Sequence, residues 1–449
     1  MNAEKILANS KPVPRYTSYP TAPHFHEGVT GETYRAWLST LQPGTRIGLY
    51  VHVPYCDQLC WFCGCHTKHT LRYEPVASYL TQVEREIEMV AALLPAGVSV
   101  SNIHWGGGSP TMLTPDDTRR LATRLSAAFP YADDAELAVE IDPRDLTEEK
   151  LDALADAGIG RASIGVQDFS EIVQKAINRH QSFEVTRAAV DGLRRRGVGS
   201  LNCDLVYGLP HQTQERLLAT VDSVIRLRPD RIALFGYAHV PWMKKHMQLI
   251  DEAVLPGAVE RFDDALAAAD RLVAAGYQRI GLDHFALPED SLAIAARQRR
   301  LHRNFQGYTT DATACLIGLG PSAIGSFPQG YVQNIVAIGE WGRAVEERRL
   351  PIAKGVARST EDTVRAFLIE RLMCDFEVSS AELSARFGAD AAAIQWELAQ
   401  LSSGEVGELV EFDGDLLRVN EEDRPFVRRI AATFDTYLRD GKGRHSIAV

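Results

Sequence analysis

Residues 46–65 read RIGLYVHVPYCDQLCWFCGC, an apolar β-branched segment that runs straight into four cysteines. The first eight residues predict a β-strand, whose period of two puts Tyr50 and His52 on one face and Val51 and Val53 on the other. The cysteines then fall on the loop that follows the strand. Working outward, similar short runs recur at 100–105, 136–141, 161–167, 201–207 and 231–238. Helix-like segments lie between them at 76–94, 116–129, 148–158 and 215–227. The third of these opens with acidic residues and ends at Gly158, as dipole and capping effects require. Alternating strands and helices imply a parallel sheet with right-handed crossovers. Six such units suit either an open doubly wound sheet or a partial (β/α) barrel. Both deliver their loops to one C-terminal edge, where ligands bind.

At 449 residues the chain exceeds a single compact core, so more than one domain is expected. Three parts are expected: an irregular arm over 1–45, a catalytic (β/α) domain over 46–350 and a mainly helical C-terminal domain over 355–449. Within the last, LVEFDGDLLRV (409–419) predicts a hairpin about Asp413-Gly414. The N-terminus has no apolar secretory region, and no apolar run reaches the ~18 residues that span a bilayer. The expected location is the cytoplasm, with no membrane partner. There, clustered cysteines bind metal or catalyse rather than pair as disulfides. A net charge of −11 argues against nucleic acid, and an anionic substrate would need local cationic groups. Cys203, Cys315 and Cys374 are isolated in apolar surroundings and read as buried thiols.

Cys56, Cys60 and Cys63 are spaced C-x3-C-x2-C, which brings three thiolates to one side of a compact loop. Three thiolates suit three irons of a [4Fe–4S] cube, leaving the fourth iron for a non-protein ligand. The alternative is a structural zinc completed by Cys65 or His66, but the spacing departs from the usual two pairs. The run Trp105-Gly-Gly-Gly-Ser-Pro-Thr111 lets a ligand approach the backbone closely. It lacks the third glycine of a dinucleotide-binding turn. Glu140 ends a strand, placed to bind hydroxyl or ammonium groups or to form an ion pair. Asp204 sits in an apolar strand and needs a polar partner. On their own, Gln167 and Arg179 are ordinary surface groups.

The C-x3-C-x2-C loop with Phe62 before its last cysteine resembles the signature of the radical S-adenosylmethionine (SAM) superfamily, whose fold is a full or partial (β/α) barrel. The resemblance implies a partial (β/α)6 barrel and SAM chelated to the open iron, where it is cleaved to methionine and a 5′-deoxyadenosyl radical. Within that superfamily the chain resembles the oxygen-independent coproporphyrinogen III oxidases. The segments that carry this are PRYTSYPTA (14–22), YVHVPYCDQLCWFCGC (50–65), HWGGGSPT (104–111), VEIDPR (139–144), SIGVQDF (163–169) and DLVYGLP (204–210). LDHFALPED (282–290), RNFQGYTT (303–310) and FDTYLRDGKGR (434–444) complete the set. By this resemblance Cys56, Cys60 and Cys63 ligate the cluster, and Tyr50, Gly107, Glu140 and Ile324 contact its SAM. A second SAM would meet Phe62, Gly108, Ser109, Gln167, Arg179, Asp204 and Ala238. Cys65 matches a cysteine that matters for activity without being a ligand, so Cys65, Tyr50 and Glu140 are the catalytic candidates. Ser109 stands where threonine is common, and His66 where asparagine is.

The implied reaction is oxidative decarboxylation of two propionates of coproporphyrinogen III to vinyl groups, giving protoporphyrinogen IX for heme biosynthesis without oxygen. The C–H bond to be broken is too strong for a side-chain base, so a cofactor radical is required. The implied enzyme is a monomeric oxidoreductase taking electrons from a donor such as a flavodoxin or ferredoxin. Arg15 and Arg303 are the candidates to hold substrate carboxylates. The rival readings are a heme-binding or heme-trafficking relative, to which Tyr308 and His302 would contribute, and a heme-degrading one.

Overall fold

The computed structural model describes residues 2–313 and 315–438. Residues 439–444 of the FDTYLRDGKGR segment lie outside the described residues. The six expected strands form as β1 (Arg46–Val53), β2 (Ser99–Gly107), β3 (Tyr131–Ile141), β4 (Arg161–Gln167), β5 (Ser200–Tyr207) and β6 (Arg231–Gly236). They pair in parallel in the order 1-2-3-4-5-6. A doubly wound sheet reverses its strand order partway along. The uninterrupted order here makes every crossover turn the same way and decides for the partial barrel.

A seventh parallel strand, β7 (Cys315–Leu319), pairs with the free side of β1 and places Gly318 opposite Tyr50. It escaped the sequence reading because no helix-like segment introduces it at the usual distance. Antiparallel strands then extend both edges, Ile324–Phe327, Gly330–Asn334 and Ile352–Ala357 beyond β7, and His284–Ala286 and Gln278–Ile280 beyond β6.

Ile47, Leu49, Val51 and Val53 of β1 are all fully buried. They share a core with Val76, Leu80, Val83 and Ile87 of helix α1 (Glu74–Ala91). Each such side chain contributes roughly 1.5–3 kcal/mol through burial. The other face of the strands is only half-buried and carries polar groups, as the alternating patterns of β4 and β5 show. Tyr50, Glu140, Ser163, Gln167, Asn202 and Asp204 occupy those half-buried positions. Helix α2 (Glu148–Asp156) is capped by Thr147 and ends before Gly158 at φ +79°, as its sequence indicates.

Glu86 of α1 ties β7 and the strands beyond it to the barrel. Its carboxylate accepts from Gly320 N at 2.6 Å, Asn334 Nδ2 at 2.7 Å and Trp341 Nε1 at 3.2 Å. Burial pushes its pKa up from 4.5 to about 7, against the pull of those three donors. Between these values the folded chain holds a proton that the unfolded chain releases. Stability from this group therefore falls as pH rises from about 4.5 to about 7. The effect is of order 3 kcal/mol. Denaturation midpoints measured across this range will show the slope, and Glu86→Gln is expected to flatten it.

A second core joins the two ends of the chain. Ile6, Val13, Tyr16 and Tyr19 pack with Leu368, Leu372 and Phe376 of the segment after residue 360. The arm is irregular between two short helices, Ala3–Asn9 and Gly31–Ser39, which its weak periodicity did not announce. The C-terminal part contains the helix Thr360–Asp375 and two shorter helices, Ser380–Phe387 and Ala392–Leu401. The hairpin about Asp413-Gly414 forms from Val410–Phe412 and Leu416–Val419, with Glu377–Ser379 as an additional strand. Cys203, Cys315 and Cys374 are buried. No helix among the described residues is long and apolar enough to cross a membrane.

Candidate active site

The cysteine loop leaves the C-terminal end of β1 and is fastened to the glycine run after β2. Gly108 N donates to Val53 O at 2.8 Å and Ser109 N to Tyr55 O at 2.7 Å. The buried Ser109 hydroxyl bonds that of Thr111 at 2.8 Å. Thr67 Oγ1 lies 3.1 Å from Cys56 Sγ and 2.8 Å from where a Cβ on Gly108 would stand. A Cβ on Gly106 would come within 2.6 Å of Glu140 Oε1, and one on Gly107, at φ +105°, would overlap the His52 ring. These glycines leave room only because they lack side chains.

Gly107 N donates to Glu140 Oε2 at 3.0 Å, and His104 Nε2 donates to Oε1 at 3.0 Å. Burial alone would raise the Glu140 pKa, but the His104 and Gly107 hydrogen bonds outweigh it and hold the carboxylate below its ordinary range. His52 Nε2 donates to His66 O at 2.8 Å, which leaves Nδ1 to accept from the Tyr50 hydroxyl at 3.0 Å. Burial depresses the His52 pKa and so keeps the ring neutral. Tyr50 also stacks on His104, their ring centroids 5.9 Å apart. Ile324 joins this group through the backbone, lying 2.9 Å from the Cβ position of Gly318, the residue opposite Tyr50.

A second group forms about Cys60. Arg179 Nη1 lies 3.5 Å from Cys60 Sγ and 3.2 Å from Asp142 Oδ2, while Nη2 donates to Gly165 O at 2.6 Å. Arg144 Nη2 lies 3.9 Å from the same sulfur and 2.5 Å from Asp142 Oδ2. Burial would raise the Asp142 pKa, but the two guanidinium groups take it down to about 2. Two guanidinium groups thus face one sulfur. Gln167, in the left-handed region at φ +68°, puts its amide 3.1 Å from the Cβ position of Gly165, and Arg179 Nη2 lies 3.0 Å from the same point. Such a conformation is costly away from glycine and is common at functional sites. Asp204, opposite Gly165, accepts from Ser163 Oγ at 2.8 Å and Asn202 Nδ2 at 2.7 Å, and burial raises its pKa. Phe62 packs with Val206, Leu209 and Tyr237.

The four loop thiols differ. Burial pushes Cys56 up to about 12, whereas the Cys65 thiol donates to Cys63 and helps bring it down to about 7. The same bond raises Cys65, which is the exposed member. Among the described residues no three His, Cys, Asp or Glu side chains converge on a single ion. The donor set, the guanidinium groups beside Cys60 and the cradle at Gly106–Gly108 fit a [4Fe–4S] cluster with SAM beside it.

Two cavities adjoin this region. One of 220 Å³ is lined by Glu140, His104, Asp204, Asn202 and His284. The other, of 230 Å³, is lined by Ala238 and by Arg15, Arg261, Arg279, Arg303 and Arg428, with Asp283. Phe235 and Gln306 line both. The structure thus brings Tyr50, Gly107, Glu140 and Ile324 together at β1–β2, and Gln167, Arg179 and Asp204 together at β4–β5. Ala238 lies apart, on the arginine cavity. Sequence reasoning missed His52, His104, Asp142, Arg144, Thr67, Arg261 and Arg428. The first four sit inside the quoted motifs, four residues or fewer from a residue singled out there.

Comparison with known proteins agrees with this geometry. The family described as the Radical SAM superfamily matches residues 50–224. The anaerobic coproporphyrinogen III oxidase 1 of Cereibacter sphaeroides is 49% identical over 426 residues, 95% of this chain and 94% of that protein. The oxygen-independent coproporphyrinogen III oxidase of Bradyrhizobium diazoefficiens is 48% identical over 437 residues, 97% of each chain. The solved coproporphyrinogen III oxidase of Escherichia coli, described as a radical SAM enzyme, superposes with a TM-score of 0.90. It is 37% identical and covers 95% of this chain and 100% of its own. With identity this high over nearly every residue, the chain belongs to the oxygen-independent coproporphyrinogen III oxidases of the radical SAM superfamily.

Proposed function

We propose that this chain decarboxylates two propionates of coproporphyrinogen III to vinyl groups without oxygen, giving protoporphyrinogen IX. The observation that carries the substrate reading is the arginine cavity in an acidic protein. Arg303 Nε and Nη1 and Arg261 Nε are buried without hydrogen-bond partners. Asp283 stands 3.9 Å from Arg303 Nη1, beyond hydrogen-bond reach. Buried cationic donors without acceptors are costly, and the carboxylates of a tetra-acid would satisfy them. Arg15 comes from the arm, Nη2 donating to Gly236 O at 3.2 Å, and its carbonyl accepts from Arg303 Nη2 at 3.5 Å.

In this reading Cys56, Cys60 and Cys63 hold the cluster, Arg144 and Arg179 stabilise the thiolate charge of Cys60, and Glu140 holds an ammonium group of SAM. When bound, the cluster and SAM supply a carbon radical that can take a hydrogen atom from an unactivated carbon. The protein orients the propionate and excludes solvent while carbon dioxide and one electron leave. Tyr50 and neutral His52 keep the wall beside Gly107 fixed. Cys65, exposed and bonded to Cys63, is the thiol placed to move a proton. The division into arm, barrel and C-terminal domain, action as a monomer in the cytoplasm and an acidic carrier protein as electron donor complete the proposal. The Tyr308 hydroxyl donates to Met373 O at 2.6 Å and accepts from Leu282 N, and His302 bonds Glu370, so both groups serve packing rather than heme ligation.

The test is anaerobic incubation with SAM, a reductant and coproporphyrinogen III. Protoporphyrin fluorescence with methionine release is expected; deoxyadenosine without decarboxylation would overturn the oxidase reading. Arg303→Ala is expected to weaken apparent substrate affinity about 10- to 100-fold, the worth of one charged hydrogen bond. Deoxyadenosine release should persist. Unchanged affinity would remove Arg303 from the substrate site.

A further inference from the structure

On the outer side of the cysteine loop lies a cavity of 330 Å³ lined by Cys65, Lys68, Met243, Lys244, Lys245 and Val336, among others. Two features distinguish this face. Lys68, Lys244 and Lys245 form no ion pair with a carboxylate among the described residues, so a local positive field stands on a chain of net charge −11. Large apolar side chains of this lining are also exposed, Met243 at 66% and Val336 at 42%. An apolar centre rimmed by charges of one sign is the pattern of a protein-docking surface.

The face is also bonded directly to the cysteine loop. Lys244 Nζ donates to Cys65 O at 3.0 Å, and His246 Nε2 donates to Cys63 O at 2.7 Å. Electron tunnelling falls steeply with distance, so a donor must dock where the protein covering the cluster is thinnest. The arginine cavity opens elsewhere, against β6 and the arm, so a carrier here would not block the substrate.

We propose that the surface formed by Lys68, Lys245, Met243 and Val336 is where an acidic one-electron carrier protein docks to reduce the cluster. This rests on the radical SAM reading of the site. One electron leaves the carrier's reduced flavin or iron–sulfur group, which is oxidised by one electron, and the cluster is reduced by one. Complementary charge raises the association rate of such brief encounters and makes it fall with salt.

The experiment uses the anaerobic holoenzyme and a purified acidic flavodoxin. Its oxidised form is used for binding by calorimetry, and its hydroquinone to drive deoxyadenosine formation. Lys68→Glu/Lys245→Glu is expected to weaken flavodoxin binding at least tenfold and to lower the flavodoxin-driven rate by a similar factor. Added salt should weaken wild-type binding. With reduced methyl viologen, a small cation that the reversed charges do not repel, the variant's rate should stay within twofold of wild type. Met243→Asp gives a second, uncharged-to-charged probe of the same face. Unchanged flavodoxin binding in both variants would overturn the docking proposal, as would a change in oligomeric state that marks the face as a contact between copies of this chain. If wild type releases no deoxyadenosine even with methyl viologen, the radical SAM reading itself fails. If it cleaves SAM without decarboxylation, only the substrate reading fails.

Discussion

Replacing Cys56, Cys60 or Cys63 by serine is expected to abolish the iron–sulfur absorbance and lower deoxyadenosine release by about 10³-fold or more, because in the proposed site the chemistry belongs to the cofactor these thiols would hold. Cys65→Ser should behave differently. Cys65 is the exposed thiol, and its amide donates to Cys63 Sγ at 3.4 Å. The backbone contact survives substitution, so the variant should retain iron and sulfide. Turnover should fall by about 10²-fold, the lower range of what a positioned proton donor contributes. Iron analysis and absorbance on anaerobic samples separate the two classes. Loss of iron from Cys65→Ser would make Cys65 a ligand and return a four-thiol site to consideration.

The second large effect is expected at Gly107. With φ at +105° and the His52 ring in the Cβ position, Gly107→Ala must shift the backbone that donates to Glu140. The strain is about 1–3 kcal/mol. Displacing the cradle by an ångström lowers rate about 10²-fold. SAM binding and deoxyadenosine formation should fall together. Gly158→Ala is the control: φ is +79° there too, but the nearest neighbour of a Cβ is Leu137 at 3.8 Å. That variant should lose stability and keep activity.

Much of this was legible in the chain. Period-two alternation and helix caps placed six strands and their helices, because those signals act within a few residues. The choice between a doubly wound sheet and a barrel was not local, since strand order depends on contacts between distant segments. β7 was invisible because no helix-like segment introduces Cys315–Leu319, which takes its place by pairing with Ile47–Val51. In the site, residue types and spacing marked the cysteines, the glycine run and Glu140. Arg144 and Arg179 converge on Cys60 only once β3 and β4 are adjacent, and no local pattern shows a guanidinium 3.5 Å from a sulfur. Arg261 and Arg428 join Arg15 and Arg303 across some 400 residues of chain, a meeting that tertiary packing alone creates.

The shared core of the two chain ends has a consequence for synthesis. Tyr16 bonds Asp435 at 3.0 Å, Tyr19 bonds Thr436 at 3.1 Å, and Arg15 lies between the arm's anchors and the cavity it helps to close. The arm leaves the ribosome some 400 residues before the segment that seats it. During translation the barrel can fold around its cysteine loop while the arm waits without a docking partner. The arginine wall is therefore completed only after Arg428 and the arm's seat have been made. A nascent chain can mature its metal centre before it can engage a tetra-acid, which sets an order of assembly: cofactor first, substrate last.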